Sequence, residues 1–359
     1  MPYLLPIGPW HPALDEPVCY KLEIHGTKIE KVEIELGFNH RGVEGLLTHL
    51  LPHQLPGVVA QICGKCSYAN TLAVTLALEK LADLNPPLRA SYIRTVMAEL
   101  ERAASHLANS ARTLRMLGKR LIASRLEEEA EGVRQLMAAS GNRIHDTFTI
   151  PGGIMRTLPL PMEFQAAVER LRKNVYESVS QLLENHQLEH RTEYIGIISA
   201  ELADEYGLVG PVARASDIPD DIRRSEPYAA YGELDFRVVT QNSGSLYARL
   251  VVRLLEALES LNLAGQALLK MPEGNLKDEQ LLPAAFPPDK EVYSLVESPR
   301  GALFCYVASD EKGCIARLKL RPPTMCNLPA LPFSLLGQDV EDAGALLVSL
   351  DYCMACGER

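Results

Sequence analysis

Ile62-Cys63-Gly64-Lys65-Cys66-Ser67-Tyr68-Ala69 opens a helical stretch, and Cys353-Met354-Ala355-Cys356 lies within the last seven residues of a 359-residue chain. In a C-x-x-C turn both sulfurs can face one ion, so two such pairs make a four-thiolate site. Cys353 comes 287 positions after Cys66 (353 − 66). Structural zinc sites usually close loops of about 12–20 residues. Here the two halves meet only after the whole chain has folded, which suits a cofactor placed in a core better than a local clip. The spacing alone leaves structural zinc, a redox dithiol and a catalytic metal centre open.

Outward from the first pair, residues 44–270 carry helical periodicity. Segments near 63–84, 88–118, 120–140, 161–190 and 245–269 place Leu, Ile, Val and Ala at three- and four-residue spacing. Pro86-Pro87, Pro151-Gly152-Gly153 and Pro159-Leu160-Pro161 interrupt them, and 191–243 is irregular. On the N-terminal side, Tyr20, Leu22 and Ile24, a His25-Gly26-Thr27 turn, then Val32, Ile34 and Leu36 predict a β-hairpin with one buried face. On the C-terminal side, strands are predicted at 291–297, 301–308 and 314–321, with a helix over 336–348 leading to the last Cys pair. The expected fold is α+β and mainly helical, a long central helix bundle with small β regions from both ends of the chain. It is expected as one domain, 1–359, with an N-terminal β region (1–60), a helical bundle (61–285) and a C-terminal β region with the Cys pair (286–359).

A net charge of −10 argues against a nucleic-acid partner, since phosphate backbones need a basic surface. No stretch approaches the roughly 18–20 apolar residues that span a bilayer. The start, Met1-Pro2-Tyr3-Leu4-Leu5-Pro6, lacks the basic and apolar regions of a signal peptide. The expectation is a cytoplasmic chain whose membrane link comes through partners. Eight cysteines in such a compartment point to metal ligation, catalysis or burial rather than disulfides. Cys19, Cys305, Cys314 and Cys326 are isolated and read as small buried hydrophobes.

Further segments fall in one order around the Cys pairs: Pro6-Ile7-Gly8-Pro9-Trp10-His11-Pro12-Ala13-Leu14-Asp15-Glu16-Pro17, Gly37-Phe38-Asn39-His40-Arg41-Gly42-Val43-Glu44, and Gly207-Leu208-Val209-Gly210-Pro211-Val212-Ala213-Arg214-Ala215. Pro227-Tyr228-Ala229-Ala230-Tyr231, Tyr247-Ala248-Arg249, Ser298-Pro299-Arg300-Gly301 and Asn327-Leu328-Pro329-Ala330-Leu331 follow. With these, the chain resembles, along nearly its whole length, the large (catalytic) subunit of energy-converting, membrane-bound NiFe-hydrogenases. It is also similar to the quinone-site subunit of respiratory complex I, which shares that ancestry but has lost the metal-binding thiols.

The resemblance implies a NiFe centre on Cys63, Cys66, Cys353 and Cys356, with Cys66 and Cys356 bridging to an iron that carries cyanide and carbon monoxide, and Cys63 and Cys353 terminal. It implies reversible proton reduction with electrons from a ferredoxin-type donor, relayed by the iron–sulfur cluster of a small partner subunit. It further implies membrane-embedded complex-I-like partners and a place on the cytoplasmic face of the membrane. Glu16 is expected as the proton-transfer acid, because a carboxyl beside a metal thiolate can accept and pass protons. Arg300 is expected over the open metal position as a fixed hydrogen-bond donor, with Asp351 orienting it. Glu44 and Arg359 resemble positions that build a site for magnesium or another ion, or a salt bridge, behind the centre. Arg41 and His145 match positions near the partner's cluster. Gln61 stands where the family usually has Arg, Asn70 where it has His, and Tyr352 where it has Pro. A hydrogenase-derived coupling subunit with a repurposed or absent metal site is the alternative.

Overall fold

The computed structural model describes residues 2–11, 14–141, 148–159, 161–278, 282–283 and 285–359. Period-two patterning produces the N-terminal sheet: β1 (Tyr3–Ile7), β2 (Cys19–His25) and β3 (Lys28–Glu35) are antiparallel in that order, with Leu22 opposite Val32. Leu22 and Ile24 are buried, whereas Glu23 is half-buried. β1 was not expected. It is a short edge strand containing Pro6, a position proline tolerates because one edge needs no donor.

Two short helices follow, α1 (Val43–Leu47) and α2 (Leu55–Val59), then the long elements α3 (Ser67–Ala82), α4 (Leu88–Met116) and α5 (Arg120–Ala139). After a two-residue ribbon, β4 (Thr149–Ile150) with β5 (Gly153–Ile154), come α6 (Pro161–Leu183) and α7 (His186–Thr192), which Asn185 separates by capping the second. The irregular stretch holds α8 (Ala200–Glu205), α9 (Gly210–Arg214) and α10 (Ile222–Ser225) before α11 (Leu246–Lys270). A second antiparallel sheet, β6 (Glu291–Ser298), β7 (Gly301–Ser309) and β8 (Ile315–Arg321), sits where the pattern predicted it. α12 (Pro323–Asn327), α13 (Ala330–Leu335), α14 (Ala343–Leu350) and α15 (Met354–Gly357) end the chain.

The predicted helix over 336–348 starts late, at Ala343. Gly337 takes φ of +76°, and Asp339 bridges Lys28 and accepts from Thr27 Oγ1, so this segment is drawn to the β2–β3 turn. Among the described residues no helix is long and apolar enough to cross a membrane.

α4 runs through the middle, packed on α5, α11 and α14, and is buried at most positions. Its contact with α11 and β6 is ionic as well as apolar. Arg214 of α9 pairs with Glu256 (2.5 Å) and Glu297 (2.9 Å) and lies 3.6 Å from Asp221. Arg223 joins Asp221 (2.7 Å) to Glu99 (3.0 Å), and Arg102 donates to the carbonyls of Ser298 (3.0 Å) and Glu297. All are buried. Buried charges are tolerable only when paired, and this set fixes the β6–β7 turn to the bundle.

Candidate metal centre

Cys63, Cys66, Cys353 and Cys356 are all buried, and their sulfurs lie within 4.8 Å of one another. Cys63 and Cys353, from opposite ends of the chain, are 3.3 Å apart. Cys66 stands at the N-cap of α3 without capping it through its own side chain. Glu101 of α4 does so instead: its carboxylate accepts from Tyr68 N (2.6 Å) and Ala69 N (2.9 Å), first-turn donors that otherwise lack partners. The second pair hangs from distant segments. Cys353 N donates to Thr324 Oγ1 (3.0 Å), Ala355 N to Glu16 Oε2 (2.9 Å), and Asn39 N to Glu358 Oε2 (2.6 Å).

Arg300, only 5% exposed, projects from the β6–β7 turn onto the cluster. Its Nη1 donates to Cys66 Sγ (2.8 Å), its Nη2 to Asp351 Oδ1 (2.9 Å) and its Nε to the Asp351 carbonyl (2.9 Å). The turn presses on Gly210, where a Cβ would come within 2.2 Å of the Arg300 carbonyl, so glycine is required there. Burial works against the Asp351 carboxylate, but Arg300, Arg253 and Arg112 hold it below its usual range. Glu16 is half-buried, and its Oε1 accepts from Cys353 Sγ at 3.5 Å. Asn70 Nδ2 is 3.5 Å from Cys356 Sγ and can donate to it.

The donor set fits a bound metal. Hydrogen bonding with Cys353 pushes the Cys63 thiol well down, while bonding with Cys356 pushes Cys353 well up. Four sulfurs so close cannot all ionise unless a cation joins them. A cavity of about 10 Å3 abuts Cys66, Cys353 and Cys356 between Arg300, Pro323 and Thr324.

The remaining sequence candidates are placed as follows. Glu44 pairs with Arg359 (2.6 Å) and Lys319 (3.0 Å) and accepts from Leu320 N (3.0 Å). Burial opposes ionisation there, yet these partners hold its carboxyl below the usual range. Both oxygens have protein partners, so Glu44 and Arg359 form a salt bridge. Arg41 Nη2 donates to the carbonyls of Ile62 (2.9 Å) and Ala355 (2.8 Å), stitching one Cys loop to the other. His145 lies outside the described residues. Gln61 turns to the Gly57 carbonyl (3.3 Å), and the Tyr352 hydroxyl donates to the Asn327 carbonyl (2.8 Å). Cys19 and Cys305 are buried as expected, but Cys314 is exposed, at the end of the β7–β8 turn, and Cys326 half-buried, on the outward side of α12, whose Pro323, Thr324 and Asn327 are buried.

Sequence reasoning missed Asp15, Lys65, Arg112 and Glu101. Asp15 pairs with Arg112 and with Lys65 (2.5 Å), and Arg112 reaches Asp351 at 3.4 Å. Glu101 left one signal: it interrupts the stripe Met97, Ala104 and Ala108 with a charge.

The model of the respiratory-chain NADH dehydrogenase 49 kDa subunit family matches residues 122–287 and 281–359. Over 99% of both chains, this chain is 33% identical to the carbon monoxide-induced hydrogenase of Rhodospirillum rubrum. It is 34% identical to a subunit of the NADH-quinone oxidoreductase of Rhizobium etli, across 98% of this chain and 94% of that one. A chain of the membrane-bound sulfane sulfur reductase, an archaeal respiratory membrane complex, superposes with a TM-score of 0.92 at 29% identity, covering 99% of this chain and 98% of that one. Similar in sequence to these relatives over nearly its whole length, and alike in fold, the chain belongs to the family of the 49 kDa subunit of respiratory-chain NADH dehydrogenase.

Proposed function

We propose that this oxidoreductase-family chain is the catalytic subunit of a membrane-associated, energy-converting hydrogenase, with Cys63, Cys66, Cys353 and Cys356 holding a nickel–iron centre. The observation that carries this reading is the convergence of four buried thiols with a buried guanidinium and a carboxyl on two of them. When bound, such a centre, with cyanide and carbon monoxide on its iron, supplies the redox chemistry interconverting protons, electrons and dihydrogen. Arg300, held charged by Asp351 and the sulfurs despite burial, offers fixed donors beside Cys66. Glu16 takes and releases a proton at Oε1 next to Cys353. Asn70 donates towards Cys356 where the family's His would. Electrons come from a ferredoxin-type donor through the cluster of a small iron–sulfur partner, and complex-I-like membrane partners hold the assembly on the cytoplasmic face.

A second reading is a hydrogenase-derived coupling subunit with a repurposed site. Gln61 favours it: where the family usually places Arg, this side chain turns away to Gly57. Metal analysis and infrared spectra of the anaerobically purified complex separate the two. About one nickel per chain with cyanide and carbonyl bands supports the hydrogenase; neither, in an intact complex, supports the second reading.

A further inference from the structure

Among the described residues, buried carboxylates follow a rule with one exception. Glu79 pairs with Arg94, Glu99 with Arg223, Asp221 with Arg223 and Arg214, Glu256 and Glu297 with Arg214, Asp342 with Arg191, and Asp351 with Arg300. Glu101 is buried too, yet among the described residues it makes no ion pair. An unpaired buried carboxyl is costly as an anion and is often kept for chemistry.

Glu101 also faces a chamber of about 660 Å3 between α4 and α5. Its inner wall includes Gly64 of the first Cys loop, Arg300 and Glu101; its rim includes Glu127 and Glu131, whose side chains are 42% and 54% exposed. Most of the lining is apolar, but charged side chains stand at both its inner and outer ends, and a space of this size with such groups in its wall admits water. The inner wall is a few residues from the sulfurs, whereas the rim is in solvent.

We propose that Glu101 is a second proton carrier of this site, serving the Cys63–Cys66 half as Glu16 serves Cys353, and exchanging with solvent through the α4–α5 chamber. The inference rests on the hydrogenase reading. The ionised carboxylate takes a proton on one oxygen from a thiol of the Cys63–Cys66 half, passed through water on the inner side of the chamber, and that thiol is left as a thiolate. It returns that proton to water on the rim side, and no electron moves. Burial pushes the carboxyl up to about 7; the N–H donors of Tyr68 and Ala69 oppose this, the Cys63 charge adds to it and the Arg300 charge reduces it. Asp15, Lys65, Arg112 and Arg134 are the other charged groups on the chamber wall. A carrier balanced near neutrality passes protons both ways.

The test is infrared pH-difference spectroscopy of the intact complex in H2O and D2O, with the variants Glu101→Gln and Ala108→Phe. Ala108 lines the chamber without touching the sulfurs. A carboxylic-acid band titrating near neutrality and shifting in D2O is expected, lost in Glu101→Gln. In Ala108→Phe the band should persist, with its exchange into D2O slowed at least tenfold. Ala108→Phe added to Glu16→Gln should lower turnover at least a further tenfold beyond Glu16→Gln alone. No titrating band, or unslowed exchange in Ala108→Phe, overturns the proposal. Should Glu101→Gln not assemble for want of a second acceptor oxygen, the Ala108→Phe arm decides alone. Absence of nickel with the band present sinks the hydrogenase reading; nickel and cyanide bands without the carboxyl band sink this inference.

Discussion

Cys63 and Cys66 owe their positions to a helix; Cys353 and Cys356 owe theirs to a clasp. The first pair leads into α3, whose first turn is bonded by Glu101 from the buried centre of α4. The second pair is gripped by Glu16, Asn39, Arg41 and Glu44, all far away in sequence, and by Thr324, 29 residues before Cys353. Backbone order near the first pair thus comes mainly from a helix and its cap, whereas the second depends more on contacts that form when the N-terminal segment is in place. Damage to the clasp should therefore loosen one half of the centre and leave the other standing.

The largest expected effect comes from removing a donor outright. Cys356→Ser takes away one of the four sulfurs, on the clasped half, and on the proposed hydrogenase reading should abolish nickel retention and the cyanide and carbonyl bands together. A complex with full nickel and normal bands after this change would sink the assignment of the ligands. Arg300→Lys touches both halves, because one ammonium cannot reproduce the fork that spans Cys66 and Asp351. Turnover should fall by about 10²–10³, the scale of losing a preorganised donor, with nickel content unchanged.

Glu16→Gln keeps the bond from Ala355 N but cannot carry a proton. Turnover should drop about 10²-fold, the low end for general acid–base groups, because Glu101 leaves a second route open. Glu44→Gln should cost less, since that carboxylate grips Arg359 and carries no proton. Near-normal turnover in Glu16→Gln, with Glu44→Gln dead, would reverse these roles. The smallest effect belongs to Arg41→Met, which removes the stitch between Ile62 and Ala355. Metal content should stay normal, while loss of nickel to a chelator speeds up a few-fold. Equal acceleration by a substitution at the Glu101 cap would erase the distinction between the halves.

Local periodicity made much of the fold legible. The hairpin turn at Gly26-Thr27, the helices α4, α5 and α11 and the three C-terminal strands follow patterns carried by their own residues. β1 was not legible, because five residues with Pro6 carry little alternation and owe their pairing to β2. The end of the chain misled for a similar reason: apolar spacing over 336–348 reads as helix, but Asp339 is recruited by Thr27 and Lys28 from the far end of the sequence. The C-x-x-C pairs exposed the candidate ligands directly. Glu101 and the Asp15–Lys65–Arg112 set stayed hidden, because what distinguishes them is a missing or shared partner, and partnership is a property of the folded chain.

Arg214 and Arg223 share four carboxylates, Asp221, Glu99, Glu256 and Glu297, so no one of these positions can change alone without stranding a charge. Breaking one buried pair costs about 3–5 kcal/mol, whereas exchanging a whole set for apolar residues can be neutral. Sequence drift through this part of the core is therefore confined to joint replacements. Double-mutant cycles between Arg214 and Glu256 should show coupling of about 1–3 kcal/mol, and lineages that cross the gap should do so in concerted jumps rather than steps.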